Sequence, residues 1–311
     1  MFTRPGVPVR SAGVVVALLC AGLSAACSVP DDSAGGAKPA ASGRSGAITA
    51  HPDPALIAKL PTGYRKGSVV QIGANEGSAP DEFRDSDGTL AGWEVDLVDA
   101  TAQVLDLTPK YHATSFDSLI PALHSKRYDV AIGQMGITPE RVKVIDMLQT
   151  INGGQTFVAR SDDTARYANV ADLCGRTVST VRGAIEVDMA NAQNPKCRKA
   201  GKKPITMKTF DQSSQAGLAL TSGRVDVYWI GATAGSYFAR NSHGAAKVAG
   251  RNAAAEIPWG VGFPKGSALV DVWRQAVQKL IDDGTYGRIL AKWGLSDLRI
   301  TTAKVNNTVR G

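Results

Sequence analysis

Short apolar segments alternate with helix-patterned segments along most of the chain, and this alternation limits the fold more than any other feature. The first series comprises SVVQIGANEG, WEVDLVDATAQVLDL, PKYHAT, FDSLIPALHSKR and YDVAIGQMG. Apolar strands separated by helices are typical of parallel sheets covered on both faces. The alternation repeats from GQTFVAR to RVDVYWIG, and a helical part follows GVGFP. The sequence therefore predicts an α/β protein with two lobes.

Charge and histidine content argue against two classes of function. The 311 residues carry a formal net charge of +7, but the basic residues are scattered or lie in runs such as KCRKAGKK. They form no stripe interleaved with aromatic residues, so nucleic acid is not an expected partner. The histidines are dispersed, and none forms a closely spaced pair with a cysteine. We therefore expect neither a metal nor another cofactor.

The N-terminus has the composition of an export signal. Residues 1–27 contain two arginines and the apolar run AGVVVALLCAGLSAA, which is too short for a comfortable membrane span. The ending LSAAC is similar to a bacterial lipobox, with Ser24 where leucine is usual. Lipidation of Cys27 would anchor the chain to the outer face of the cell membrane; cleavage without lipid is the alternative. Residues 28–63 are rich in Ser, Ala, Gly and Pro, as in a flexible tether, which favours the anchor.

Two cysteines remain after the signal. Cys174 and Cys197 form an even pair in an exported chain, and such a pair favours a disulfide. By the chain-entropy estimate, closing a loop of ~23 residues contributes roughly 3 kcal/mol.

The segment GQMGITPER contains the candidate anion-binding group. Its glycines leave backbone N–H groups unobstructed, and Pro139 stands where a helix can begin. Arg141 would then project from a helix N-terminus beside free backbone donors, an arrangement that suits a carboxylate. The alternative is a strand-to-helix turn whose arginine pairs with a surface acid.

Several blocks in order resemble family 3 of the bacterial extracellular solute-binding proteins, the polar amino acid receptors of ABC importers. They are AGWEVDLVDATAQVL, TSFDSLIPALHSKRYDVAIGQMGITPERVKVIDM, DLCGRTVSTVRGA, SGRVDVY, PWGVGFPKGS and DDGTYGRILAKWG. The resemblance covers about residues 64–296. SAPDEFRDSDG and the cysteine pair look most like the glutamate-type branch of the family.

This resemblance implies a periplasmic-binding-protein-like fold of type II. Each lobe would be a mostly parallel sheet flanked by helices, and two crossing strands near INGGQ and EIPWG would form the hinge. The implied boundaries are 67–153 with 260–296 for the first lobe, 154–259 for the second lobe, and 297–311 for a tail.

The resemblance also assigns the ligand-binding residues. Arg141 aligns with the arginine that forks the ligand's α-carboxylate, and Gly136 with a position that offers its N–H to that group. Further matching positions are the rim residues Gly133 and Gln134, the pocket side chain Phe116, the first-loop residue Asn75, and Ala184 and Ile185 at a helix N-terminus.

Two positions depart from the family pattern. Ser78 replaces a stacking aromatic residue, and Gly231 replaces the aspartate that receives the ligand's α-ammonium. Because a buried ammonium without a partner is costly, an ordinary α-amino acid should not bind in the ordinary way. Three alternatives stay open: a carboxylate from Glu186 or Glu76, a cation held by the rings of Trp229, Tyr228 or Trp93, or a ligand with no cation. Trp259, beside the predicted hinge, is a further candidate for the cleft.

The resemblance predicts a monomeric receptor, not an enzyme, that captures a small carboxylate-bearing polar solute and delivers it to ABC permease subunits. One alternative is an enzyme like the cyclohexadienyl dehydratase known on this fold, with a cleft acid that donates a proton. Another is a sensory or scavenging lipoprotein without an importer.

Overall fold

A computed structural model describes residues 48–252 and 257–308. The predicted signal with Cys27, the start of the predicted tether and part of the second predicted crossing, including Glu256, lie outside the described residues.

Strands and helices alternate through the described ranges. The strands are β1 (Val69–Ala74), β2 (Phe83–Arg84), β3 (Leu90–Ala91), β4 (Thr108–Ala113), β5 (Val130–Gly136), β6 (Ile145–Asn152), β7 (Gln155–Arg160), β8 (Thr177–Val181), β9 (Thr206–Phe210), β10 (Val227–Gly231), β11 (Ala246–Arg251) and β12 (Pro258–Pro264). The α-helices are α1 (Pro54–Ile57), α2 (Trp93–Val104), α3 (Phe116–His124), α4 (Pro139–Val144), α5 (Ile185–Lys199), α6 (Ser213–Thr221), α7 (Ala232–Asn241), α8 (Leu269–Asp282) and α9 (Thr285–Lys292). None of these described helices has both the length and the apolar character that crossing a membrane requires.

Two five-stranded sheets organise the described chain, with the orders β4-β1-β5-β12-β6 and β11-β7-β10-β8-β9. In each sheet one strand runs against the other four: β12 in the first and β7 in the second. These are the strands by which the chain enters each sheet from the other, since β7 follows β6 and β12 follows β11. The predicted two-lobed α/β fold is confirmed, and the parts around the two sheets are called the first and second lobes.

Both faces of each sheet are covered, which explains the unbroken apolar runs in the strands. In the first lobe, α2, α8 and α9 contribute to one buried cluster, and α3 contributes to the cluster on the other face. Neighbouring residues of β10 point to opposite faces, so Tyr228 and Trp229 belong to different clusters of the second lobe.

The predicted disulfide is present. Cys174 and Cys197 are bonded with their Cα atoms 5.6 Å apart, and the bond ties α5 to the turn that precedes β8. The second lobe therefore carries a covalent link on the helix whose N-terminus faces the cleft described below.

The predicted tether, residues 28–63, is wrong over its last part. Asp53 caps α1 by accepting the N–H groups of Ala55 and Leu56, and Leu56 is buried in the core of the first lobe. The N–H of Ala50 donates to Gln103 Oε1 at 2.9 Å. A few apolar and capping residues therefore order a segment whose composition alone is typical of a linker.

The strand β6 and the helix α7 were not predicted from the sequence. β6 lies between α4 and the first crossing, and α7 follows directly on Gly231. β12 begins at Pro258, so Pro258 and Trp259 belong to the first sheet although the predicted boundary places them in the second lobe. The remaining lobe boundaries stay a prediction.

Candidate functional site

A cleft lies between the two lobes, at the ends of β5 and β10 and at the starts of α3 and α5. The space within it that water-sized molecules can reach is about 30 Å³. The lining residues come from both lobes: Asn75, Ser78, Phe116, Gly133, Gln134, Gly136, Arg141, Val181, Ala184, Ile185, Glu186, Ile230, Gly231 and Trp259. Ligand sites in open α/β sheets occur beyond the carboxyl ends of the strands, and this cleft has that location.

Arg141 reaches into the cleft from α4. Thr138 caps this helix by accepting the N–H of Arg141, and Pro139 occupies the first turn. The guanidinium donates from Nη1 to the carbonyl of Gly136 at 3.0 Å and from Nη2 to the carbonyl of Gly183 at 3.1 Å. Its Cζ lies 5.3 Å from the centre of the Phe116 ring. The side chain therefore joins both lobes and keeps further N–H groups for a ligand.

Burial lowers the pKa of Arg141, although the charges of Glu186 and Asp188 oppose this effect. Arg141 is 9% exposed, and it is the one basic side chain among the lining residues that the structure describes. In the described ranges no carboxylate lies within ion-pair distance of its guanidinium. A ligand carboxylate would supply the missing counter-charge.

Replacing Thr138 with alanine should weaken the support of Arg141. An N-cap hydroxyl typically contributes about 1 kcal/mol, so we expect a comparable fall in the free energy of unfolding. A few-fold loss of affinity should accompany it, measured by calorimetry with whichever carboxylate solute binds the unmodified protein. Thr138→Ser keeps the hydroxyl and should restore both values.

The C-terminal half of β5 is fixed by a buried glutamate that sequence reasoning missed. Glu94 Oε2 accepts the backbone N–H groups of Gly133 and Gln134 at 3.0 and 2.9 Å. Gln134 adopts a positive φ of 53°, and its Nε2 donates to Asp81 Oδ2 at 2.6 Å. The same amide contacts the hydroxyl of Thr233 in the second lobe. Gln134 is therefore both a lining residue and a contact between the lobes.

Three buried carboxyl groups lie near this part of β5: Asp81, Glu82 and Glu94. Burial is the main cause that raises the pKa of each, and the charge of Glu94 adds to the effect on Asp81 and Glu82. Asp81 accepts from neutral donors, including Trp93 Nε1 at 2.6 Å. In the sequence, Asp81 and Glu82 are adjacent in SAPDEF, and Glu94 lies in the block AGWEVDLVDATAQVL.

Glu186 supplies the one acidic side chain among the described lining residues. It is 4% exposed, and its Oε1 accepts a hydrogen bond from Gln155 Nε2 at 3.0 Å. Burial raises the pKa of Glu186 to about 7, against the stabilising effects of its own backbone N–H, Arg141 and Gln155. Near neutral pH this group therefore exchanges a proton readily.

Gly231 ends β10 and precedes the first turn of α7, which contains no acid. A Cβ atom placed on Gly231 would lie closer than 3.0 Å to Cη2 and Cζ3 of Trp259 and to Oε1 of Gln134. Trp259 is 4% exposed, and its Nε1 has no hydrogen-bond partner among the described residues. The indole ring therefore occupies the place where a side chain at position 231 would stand.

The structure brings together every predicted ligand-binding residue except Trp229. Trp229 is wrong as a cleft residue because it packs in the core of the second lobe, with its ring centre 5.5 Å from that of Phe157. The next residue of the strand, Ile230, faces the cleft instead.

Three of the other predicted cation partners also lie away from the lining. Glu76 forms an ion pair with Arg84 at 2.7 Å. The hydroxyl of Tyr228 contacts the hydroxyl of Ser213, and Trp93 Nε1 donates a hydrogen bond to Asp81. Of the predicted partners for a cation, Glu186 alone belongs to the described lining, and Trp259, a further candidate for the cleft, also lines it.

A two-lobed α/β chain with a buried guanidinium between its lobes has the architecture of a periplasmic-type binding protein. The comparisons with known proteins define its family. Residues 70–296 match the family model of bacterial extracellular solute-binding proteins, family 3, and the chain belongs to this family.

Relatives of the chain include arginine-binding proteins. The arginine-binding protein ArgT of Corynebacterium glutamicum is 30% identical over 83% of this chain and 85% of its own length. An ancestral arginine-binding protein bound to arginine superposes with a TM-score of 0.65 at 30% identity, over 74% of this chain and 99% of its own. An ancestral amino acid-binding protein, a precursor of cyclohexadienyl dehydratase, gives a TM-score of 0.64 at 25% identity, over 73% of this chain and 95% of its own.

Proposed function

We propose that this family member captures a small carboxylate-bearing solute, amino-acid-like or zwitterionic, and delivers it to the permease of an ABC importer. The observation that carries the proposal is the buried guanidinium of Arg141. It touches both lobes and has no carboxylate partner among the described residues. Relatives named for arginine binding support a solute with an α-carboxylate.

Capture would follow from closure of the lobes over the solute. Gln134 and Arg141 already contact Thr233 and Gly183 across the cleft. Closure removes water, and charged hydrogen bonds are stronger where water is excluded. A carboxylate bound to Arg141 would thus add contacts that favour the closed form, which the permease would recognise.

Further features complete the proposal. Cys27 would be lipidated and residues after it would tether the monomer to the outer face of the cell membrane, beside its permease. The family relationship supports an extracytoplasmic location.

A second candidate is an enzyme that acts on a cyclohexadienyl carboxylate. The observation that favours it is Glu186, a buried cleft acid whose pKa is raised to about 7, which suits proton donation at neutral pH. The relationship to a dehydratase precursor points the same way. We nevertheless propose that the protein binds its solute without converting it. Incubation of the pure protein with prephenate or arogenate, followed by product analysis, tests this.

A screen of carboxylate solutes by thermal and chemical denaturation tests the proposed function. A true ligand at a hundred times its dissociation constant should raise the free energy of unfolding by ~2.7 kcal/mol. The amide or alcohol analogue of the same solute should give no stabilisation, because it lacks the anion. Equal stabilisation by the neutral analogue would contradict the proposal.

A further inference from the structure

The indole ring of Trp259 is held between glycines of two different segments. Its tip lies over Gly231 in the second lobe, and its Cδ1–Nε1 edge lies over Gly153 in the crossing between β6 and β7. A Cβ at either glycine would come within 3.0 Å of the ring. The ring can lie here only because positions 153 and 231 carry no side chain, so Trp259, Gly153 and Gly231 form one structural unit.

This unit removes the place for a counter-charge at the N-terminus of α7. A helix N-terminus carries a positive partial charge, and the first turn of α7 has no acid to balance it. Asp81 accepts a hydrogen bond from Thr233 in that turn at 3.1 Å, but burial raises the pKa of this carboxyl well above its ordinary value, and the nearby lining residues Asn75, Ser78 and Gln134 are neutral. A primary ammonium at this end of the cleft would meet an aromatic ring and a positive helix end, and Glu186 would be the acidic side chain left to it on the described lining.

Trp259 also presents a donor without an acceptor. Its Nε1 is buried and has no partner among the described residues, a state that native proteins usually avoid. The nitrogen lies 3.7 Å from the position that a Cβ of Gly136 would take, and the carbonyl of Gly136 accepts from Arg141 Nη1. The indole N–H and the guanidinium therefore approach the same part of the cleft.

We propose that Trp259 determines the class of solute. Its N–H donates to the carboxylate that Arg141 binds, and its ring packs against a bulky group that has no N–H donors, a quaternary ammonium or its apolar equivalent. A quaternary ammonium is favourable against an indole because the attraction needs no hydrogen bond. This inference rests on the proposed carboxylate function, and it excludes a primary α-ammonium as the preferred cation.

Three matched probes test the solute class by calorimetry: glycine, glycine betaine and 3,3-dimethylbutanoate. The last two share a shape and differ in the charge of the central atom. We expect glycine betaine to bind at least tenfold more tightly than glycine. Tighter binding of betaine than of dimethylbutanoate would assign the preference to the cation and the ring; equal binding would assign it to apolar packing. Tighter binding of glycine, or of arginine titrated as a fourth ligand, or no binding of either bulky probe, would overturn the inference.

Substitutions test the unit itself. Trp259→Phe keeps a ring but removes the N–H, and should weaken carboxylate binding about tenfold; Trp293→Phe is the control, since its N–H donates to Asp96 outside the cleft. Gly231→Asp should abolish binding of all three probes because its side chain overlaps the ring.

The double variant Gly231→Asp, Trp259→Ala should fold and prefer glycine to betaine. Circular dichroism should show that Gly231→Asp and the double variant are both folded. If the folded double variant still binds glycine betaine more tightly than glycine, the proposed role of Trp259 is overturned. Retained probe affinity in Arg141→Ala would instead contradict the proposed function and leave the role of Trp259 in place.

Discussion

The Arg141→Ala variant is expected to bind the cognate solute about a hundredfold more weakly than the unmodified protein. Charged hydrogen bonds are worth about 1.5–3 kcal/mol each, and a carboxylate can accept two from one guanidinium. The loss of about 3 kcal/mol corresponds to the hundredfold change. The reason lies in the cleft, where Arg141 is buried and is the one basic lining residue in the described chain.

Calorimetric titration measures this change, and two further variants sharpen it. Arg141→Lys keeps the charge but loses the planar fork, so its affinity should be intermediate. Arg274→Ala removes an exposed guanidinium that pairs with Asp271 on α8, and should leave the affinity unchanged. An unchanged affinity in Arg141→Ala would refute the role of this residue.

Stability should fall with rising pH because of Glu186. Burial raises the pKa of this carboxyl to about 7, from an ordinary value of 4.5 in the unfolded chain. Between these values the folded protein holds a proton that the unfolded chain has released. The contribution of Glu186 is therefore most favourable below pH 4.5 and is lost as the pH rises through 7, by about 3 kcal/mol in all.

The difference between the unmodified protein and Glu186→Gln isolates this effect from that of other titrating groups. Urea unfolding at several pH values from 5 to 8 should show the unmodified protein losing stability relative to the variant as the pH rises. Asp188→Asn, an exposed acid on the same helix, is the matched control. A pH-independent difference between the protein and Glu186→Gln would contradict the raised pKa.

The sequence alone was sufficient to locate those candidate site residues that lie close together in the chain. The β5 end, the turn and the start of α4 lie within one short segment, so GQMGITPER located Arg141 and its glycines. Alternation along β10 showed that Tyr228 and Trp229 face opposite ways, but it did not show that both faces are buried. The error at Trp229 arose there.

Contacts between distant segments could not be predicted in this way. Trp259 meets Gly231 because β12 returns to the first sheet beside β5, and no local pattern fixes that pairing. Glu94 anchors β5 at Gly133 from a separate helix. The end of the tether was misjudged for the same reason, since Leu56 is ordered by burial against other parts of the first lobe.

The pairing of Asn152 with Pro258 at the crossing has a consequence for how such chains diversify. The polypeptide leaves the first sheet at Asn152 and returns to it at Pro258, so the two points at which the second lobe is attached lie side by side. A corresponding insert from a relative could be grafted between these two residues while Arg141 and Trp259 stay on the recipient. Exchange of this kind would change the wall that carries Glu186 and Gly231 in one event and preserve the side that carries Arg141.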